Sequence, residues 1–122
     1  MKRFAVLLLV GFSVSAAVPE PEAVRTIIGE AANQGFTGMV AVGNVLRHRG
    51  STKGFCGRTA PHIDKQPAWV WAQARRAWQH SATNDVTGGA THFENTTSFG
   101  EPYWARNMKK TVKIRDHQFY RD

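Results

Sequence analysis

Only one cysteine, Cys56, stands in the 122-residue chain, so no intramolecular disulfide can brace the fold. Carboxylates are scarce too: nine face sixteen lysines and arginines, for a formal charge of +7. Between Glu22 and Asp64 the only acidic residue is Glu30. A solvated surface helix would scatter several over such a span. Long apolar runs are also missing. The only one, Phe4 to Val14, is well short of the ~20 residues a membrane-spanning helix needs. Lys2 and Arg3 precede it and Ser15-Ala16-Ala17 follow. The pattern is that of a signal peptide over residues 1–17, cut after Ala17.

The expectation is an exported chain, in the periplasm or the cell wall and extracellular space, with no stable membrane span after cleavage. Residues 18–122 remain, with a charge of +5 once Lys2 and Arg3 are gone. No repeat, low-complexity tract or linker divides them, so a single domain and a monomer are expected. That length can bury its own core, and four tryptophans and seven phenylalanines suit the purpose. An exported basic domain points to an anionic partner such as wall, membrane surface or nucleic acid; export argues against nucleic acid.

Three helices come first. From Pro21 to about Ala32, Val24, Ile27, Ile28 and Ala31 fall on one stripe. A second helix, capped by Thr37, runs through Met39, Val42 and Leu46 to the basic turn Arg47-His48-Arg49 and Gly50. Pro67 opens a third, with Trp71, Ala74 and Trp78 on one face. Beyond His80, residues 83–89 form a loop by composition. Ala90 to Phe93 form a short strand and Thr96 to Pro102 a loop. Thr111–Ile114 and His117–Tyr120 form a hairpin about Arg115-Asp116. The fold class is α+β, helices first and a short antiparallel sheet near the C-terminus.

Glu30 lies roughly 110° from the centre of its helix's apolar stripe, on the border of core and solvent. Partial desolvation there would raise its pKa, as a general acid requires. Local pattern leaves open a solvated surface glutamate. His92 and Glu94, joined by His117, have the residue types of a three-ligand zinc site, but the spacing is unspecific. Cys56 has no neighbouring base and is better explained as a buried or semi-buried small hydrophobe than as a nucleophile. Basic clusters at Arg75-Arg76, Arg106 with Lys109-Lys110, and Lys113 with Arg115 lie near Trp78, Tyr103 and Trp104. They suit stacking on bases or sugars, or a solvated basic face.

Ordered blocks along the chain resemble the SleB-type cell-wall hydrolases, the family of the spore-cortex-lytic enzymes. They begin with Gly29-Glu30-Ala31, Gln34-Gly35, Gly38, Val40-Ala41-Val42 and Asn44-Val45. Phe55-Cys56-Gly57, Asp85 with Thr87-Gly88-Gly89-Ala90, and His92-Phe93-Glu94-Asn95 follow. Phe99-Gly100, Pro102-Tyr103-Trp104-Ala105, Met108, Asp116-His117 and Phe119-Tyr120 close the series. The resemblance implies a small, lysozyme-like catalytic domain related to the lytic transglycosylases, with peptidoglycan glycan as partner and no cofactor or metal. Its general acid falls on Glu30, its glycine-rich turn on Gly88-Gly89, its asparagine on Asn95 and its closing histidine on His117. Arg115 departs from the family by standing where a glycine is common, which bears on the hairpin turn. His48-Arg49 departs from the usual Asn-Arg.

The implied reaction cleaves the bond between N-acetylmuramic acid and N-acetylglucosamine and closes a 1,6-anhydro ring. Glu30 carries both proton transfers. Asn95, His117, His92, Gly88 and Gly89 are the expected substrate-binding residues, with Trp104 or Tyr103 stacking on the sugar. A hydrolytic glycosidase would need a second carboxylate, for which Asp85, Glu94 and Glu101 are available. Two alternatives stay open: a zinc-dependent N-acetylmuramoyl-L-alanine amidase and a non-catalytic basic wall-binding protein.

Overall fold

The computed structural model describes residues 17–122, so the expected signal segment lies outside it except for Ala17. Helix α1 spans Glu20–Ala31, with Pro19 at its cap and Glu20 and Glu22 in its first turn, where carboxylates suit the positive end of the helix dipole. Its stripe of Val24, Ile27, Ile28 and Ala31 is fully interior. Helix α2 spans Gly35–Arg49, and every residue from Gly38 to Leu46 is buried. A helix enclosed on all sides is the centre of a core. It packs against α1 and against α3, Ala68–His80. Pro67 caps α3 as expected, while Ala74 and Trp78 are buried and Trp71 is half-exposed.

Two 3-10 turns, Cys56–Thr59 and Pro61–Lys65, bridge α2 and α3 and lie across α1. The rest carries a small sheet joined by loops and a further 3-10 turn, Tyr103–Asn107. Strand β1 is His92–Asn95, β2 is Lys109–Ile114 and β3 is His117–Arg121, in the antiparallel order β1-β3-β2. The expected α+β class therefore holds, with helices first and the small antiparallel sheet last.

Local differences from the sequence reading have local causes. Thr37 does not cap α2; the helix already begins at Gly35, whose φ of +76° turns the chain sharply out of α1. At the far end Gly50 does close it in the left-handed conformation. The first strand starts two residues late, at His92, after Thr91 N donates to Tyr120 O at 2.9 Å. Residues 96–99 form one helical turn, α4 (Thr96–Phe99). Arg115 takes the left-handed conformation in place of a glycine, at φ 52°. Gln34 holds this turn, donating to Asp116 Oδ2 at 3.0 Å and accepting from Asp116 N at 3.1 Å.

One polar side chain in the core ties the halves together. Asn44 donates to the carbonyls of Ser81 (3.1 Å) and Asn84 (2.7 Å) and accepts from Val86 N (2.9 Å). Nearly all its capacity is satisfied, as burial demands.

Candidate active site

A cleft of about 600 Å³ runs between α1 with its 3-10 turn and the sheet. Glu30 forms part of its wall. The geometry around this residue starts from two glycines. An added Cβ on Gly29 would overlap the Gly57 carbonyl, and one on Gly57 would lie 2.7 Å from both the Gly29 carbonyl carbon and Glu30 Cδ. Only glycine at both positions lets the two backbones touch. The contact brings Gly57 N onto Glu30 Oε2 at 2.7 Å.

Glu30 is half-buried, and its pKa is raised above the ordinary carboxyl range. Burial is the main cause; the Gly57 N–H opposes it, and the negative charge of Glu94 adds to it. A second cavity of about 290 Å³, lined by Asn33, His62 and Gln66, meets the other side of Glu30. There His62 Nε2 bonds Gly29 O at 3.2 Å and Gln66 Nε2 donates to His62 Nδ1 at 3.2 Å.

Several residues expected from the sequence border the same cleft: His92, Glu94, Asn95, Trp104 and His117. His117 is only 4% exposed, packs on the Phe93 ring at 4.9 Å, and has no hydrogen-bond partner at Nδ1. Burial, against the pull of Asp116, holds it below the usual imidazole pKa. His92 is also held low, by burial and then by Arg49, against Asp122. Trp104 packs against His92 and edge-on against Tyr120, each at 5.3 Å. Asn95 Oδ1 accepts from Ser98 N at 2.9 Å and caps α4, which leaves its amide nitrogen for a ligand.

Others fall elsewhere. Asp85, Gly88 and Gly89 do not line the cleft. Asp85 Oδ1 accepts from Thr87 N (2.8 Å) and Thr87 Oγ1 (2.7 Å), and Oδ2 from Gly89 N (2.9 Å). Burial pulls its pKa up, but these bonds and His48, 3.4 Å away, hold it low. It is a turn-holding carboxylate, and the positive φ angles of Gly88 and Gly89 serve that same turn. Tyr103 stands outside the cleft, 80% exposed, with the Arg106 guanidinium 4.8 Å from its ring centre. Cys56 corrects the sequence reading: it is exposed and borders the cleft. His92, Glu94 and His117 do not converge on a metal. The register pairs His117 with Asn95 and Tyr120 with His92, so strand alternation puts His117 on the opposite sheet face from His92 and Glu94. Among the described residues, no three His, Cys, Asp or Glu are grouped to hold a metal ion.

The sequence reading gave no role to Arg49, Phe55 or Phe99 in the cleft wall, or to the Gly57 amide. The only signal was the pair of glycines, Gly29 and Gly57, each beside a residue of interest.

Compared with known families, residues 33–120 match the family model described as Cell Wall Hydrolase. The chain belongs to the SleB-type cell wall hydrolases. As a member, the hydrolase is a wall-associated or exported enzyme with peptidoglycan as its substrate class. Among solved structures it is similar to the catalytic domain of the Bacillus cereus SleB protein, at 20% identity and a TM-score of 0.62. That match covers 84% of the hydrolase and 88% of the other chain. At this identity the likeness is one of fold. No curated protein matches. Glu30 precedes the matched stretch, so its place as the hydrolase's candidate acid rests on the cleft geometry.

Proposed function

We propose that this hydrolase is an exported, monomeric lytic transglycosylase that cleaves between N-acetylmuramic acid and N-acetylglucosamine, with Glu30 as its proton donor and acceptor. The observation that carries the reading is a cleft-wall carboxyl with a raised pKa and a single backbone donor. An acid that keeps its proton toward neutral pH can protonate a glycosidic oxygen. The C1–O bond of the muramic acid breaks and the N-acetylglucosamine leaves with that proton. The Glu30 carboxylate then takes the proton of the C6 hydroxyl while O6 bonds C1. An anhydro ring forms, Glu30 is protonated again, and no water is consumed. Asn95 and His117 position the sugar and Trp104 offers it an aromatic face.

Glu94 supports a second reading, since it borders the same cleft and its charge is felt at Glu30. A hydrolytic muramidase would use it as the second carboxylate. Mass spectrometry of digested peptidoglycan separates the two. Anhydro-muramic ends are expected; reducing ends that gain one water would transfer the reaction to the Glu30–Glu94 pair. Release of stem peptides would overturn both. For export, N-terminal sequencing of the secreted chain is expected to begin at Val18.

A further inference from the structure

Among the described residues lining the cleft, one is an arginine. Arg49, the last residue of α2, borders the cleft together with Glu30 and Glu94. Its guanidinium carbon lies 4.7 Å from the Phe55 ring centre, and one terminal nitrogen donates to Lys53 O. Gly54, at φ +88°, leaves room for it; a Cβ there would lie 2.9 Å from the guanidinium. The group is thus stacked, tethered at one end and half-buried.

Among the described residues no carboxylate lies within ion-pair distance of Arg49. Other cations do have partners: Arg25 pairs with Asp64 at 3.0 Å and Lys110 with Glu101 at 3.2 Å. Arg47, two residues earlier, donates to Ser81 Oγ and Trp78 O. A guanidinium has five N–H donors in a planar fork, and the tether to Lys53 uses one terminal nitrogen. The Arg49 charge is felt at His92. The hydrolase therefore keeps an unneutralised fork in the wall of the cleft.

We propose that Arg49 binds a carboxylate carried by the muramic acid residue in the cleft, and so makes the enzyme selective for acidic strands. This rests on the reading that the cleft holds peptidoglycan glycan. Arg–carboxylate pairs are often bidentate and roughly twice as strong as neutral hydrogen bonds. The carboxylate has two possible sources: the lactyl group of a bare muramic acid, or the acidic residues of an attached stem peptide.

The experiment measures binding of three soluble glycan oligomers by calorimetry. One bears stem peptides with free carboxylates, one has those carboxylates amidated, and one is stripped to the lactyl carboxylate. Wild type is expected to bind at least one charged oligomer about tenfold more tightly than the amidated one, the worth of ~1.4 kcal/mol. The oligomer that shows the preference names the source. Arg49→Gln is expected to remove the preference while leaving affinity for the amidated oligomer unchanged. Arg49→Lys keeps the charge without the fork and should restore only part of it. Equal weakening toward all three oligomers by Arg49→Gln would mean that Arg49 merely supports residues 53–55, and overturns the assignment. A charge-blind wild type that still binds and cleaves overturns it as well, with the proposed function intact. Failure of wild type to bind any of the three removes both.

Discussion

Glu30 and Asp85 are the same functional group in two opposite settings. The 85–89 turn surrounds Asp85 with donors from Thr87 and Gly89 and places His48 beside it, and its proton is lost easily. The Gly29–Gly57 crossing gives Glu30 one donor; burial and the nearby Glu94 charge act against ionisation, and its proton is held more tightly than usual. A carboxylate becomes structural when the backbone converges on it. It becomes an acid when partners are withheld.

The largest test of this contrast is Glu30→Gln, which should lower kcat/KM on peptidoglycan by about 10³-fold, within the range for loss of a general acid. Glutamine keeps an acceptor for Gly57 N and removes a carboxyl that is costly to ionise where it is. A carboxyl with a raised folded pKa stabilises the fold while protonated and loses that contribution as pH rises through the folded value. The variant's Tm at neutral pH should therefore equal or exceed that of wild type. An active Glu30→Gln enzyme would end the assignment.

Next in size is Gly29→Ala, which forces a methyl group into the Gly57 carbonyl. A loss of about 3 kcal/mol in urea unfolding is expected, at the upper end for overpacking. Unchanged stability would mean that the crossing is loose. Asp85→Ala should cost about 1–2 kcal/mol, from hydrogen bonds lost at a partly exposed turn. Below its melting temperature it should cleave almost as wild type does. A large drop in its turnover would return Asp85 to the chemistry. The finest test is the pH profile. Activity should fall as pH rises through the raised Glu30 pKa. Because the Glu94 charge pushes that pKa up, Glu94→Gln should move the falling limb to lower pH. A limb that stays in place would separate the two carboxylates.

The helical half was largely legible in the sequence because a repeat of apolar residues encodes which face is buried. The stripe of α1 and the basic, glycine-terminated end of α2 are local features, and local signals found them. Glu30 was conspicuous for the same reason, being the lone carboxylate in an apolar stretch. Its partner was not, because the Gly57 amide lies 27 residues away. No periodicity links a side chain to a backbone N–H across that distance. The place of Asp85, one of three carboxylates available as a partner for Glu30, was not legible, because an aspartate before Thr-Gly-Gly suits both a catalytic loop and a self-capped turn. Hydrogen-bond geometry separates them. Cys56 was expected to be buried because cysteine usually is, but here the 3-10 turn lays its glycine against α1 and leaves the thiol outside.

The distance between Glu30 and Gly57 also governs when this enzyme becomes an enzyme. In an extended chain Glu30 is an ordinary glutamate, ionised at neutral pH and unable to donate. The burial that raises its pKa exists only in the folded domain, where the turn at Cys56–Thr59 lies across α1, a non-local contact. If Glu30 is the acid, as proposed, the polypeptide is chemically silent until it is folded. On the proposed mechanism, that crossing is a built-in safeguard: an incompletely folded chain cannot cut peptidoglycan.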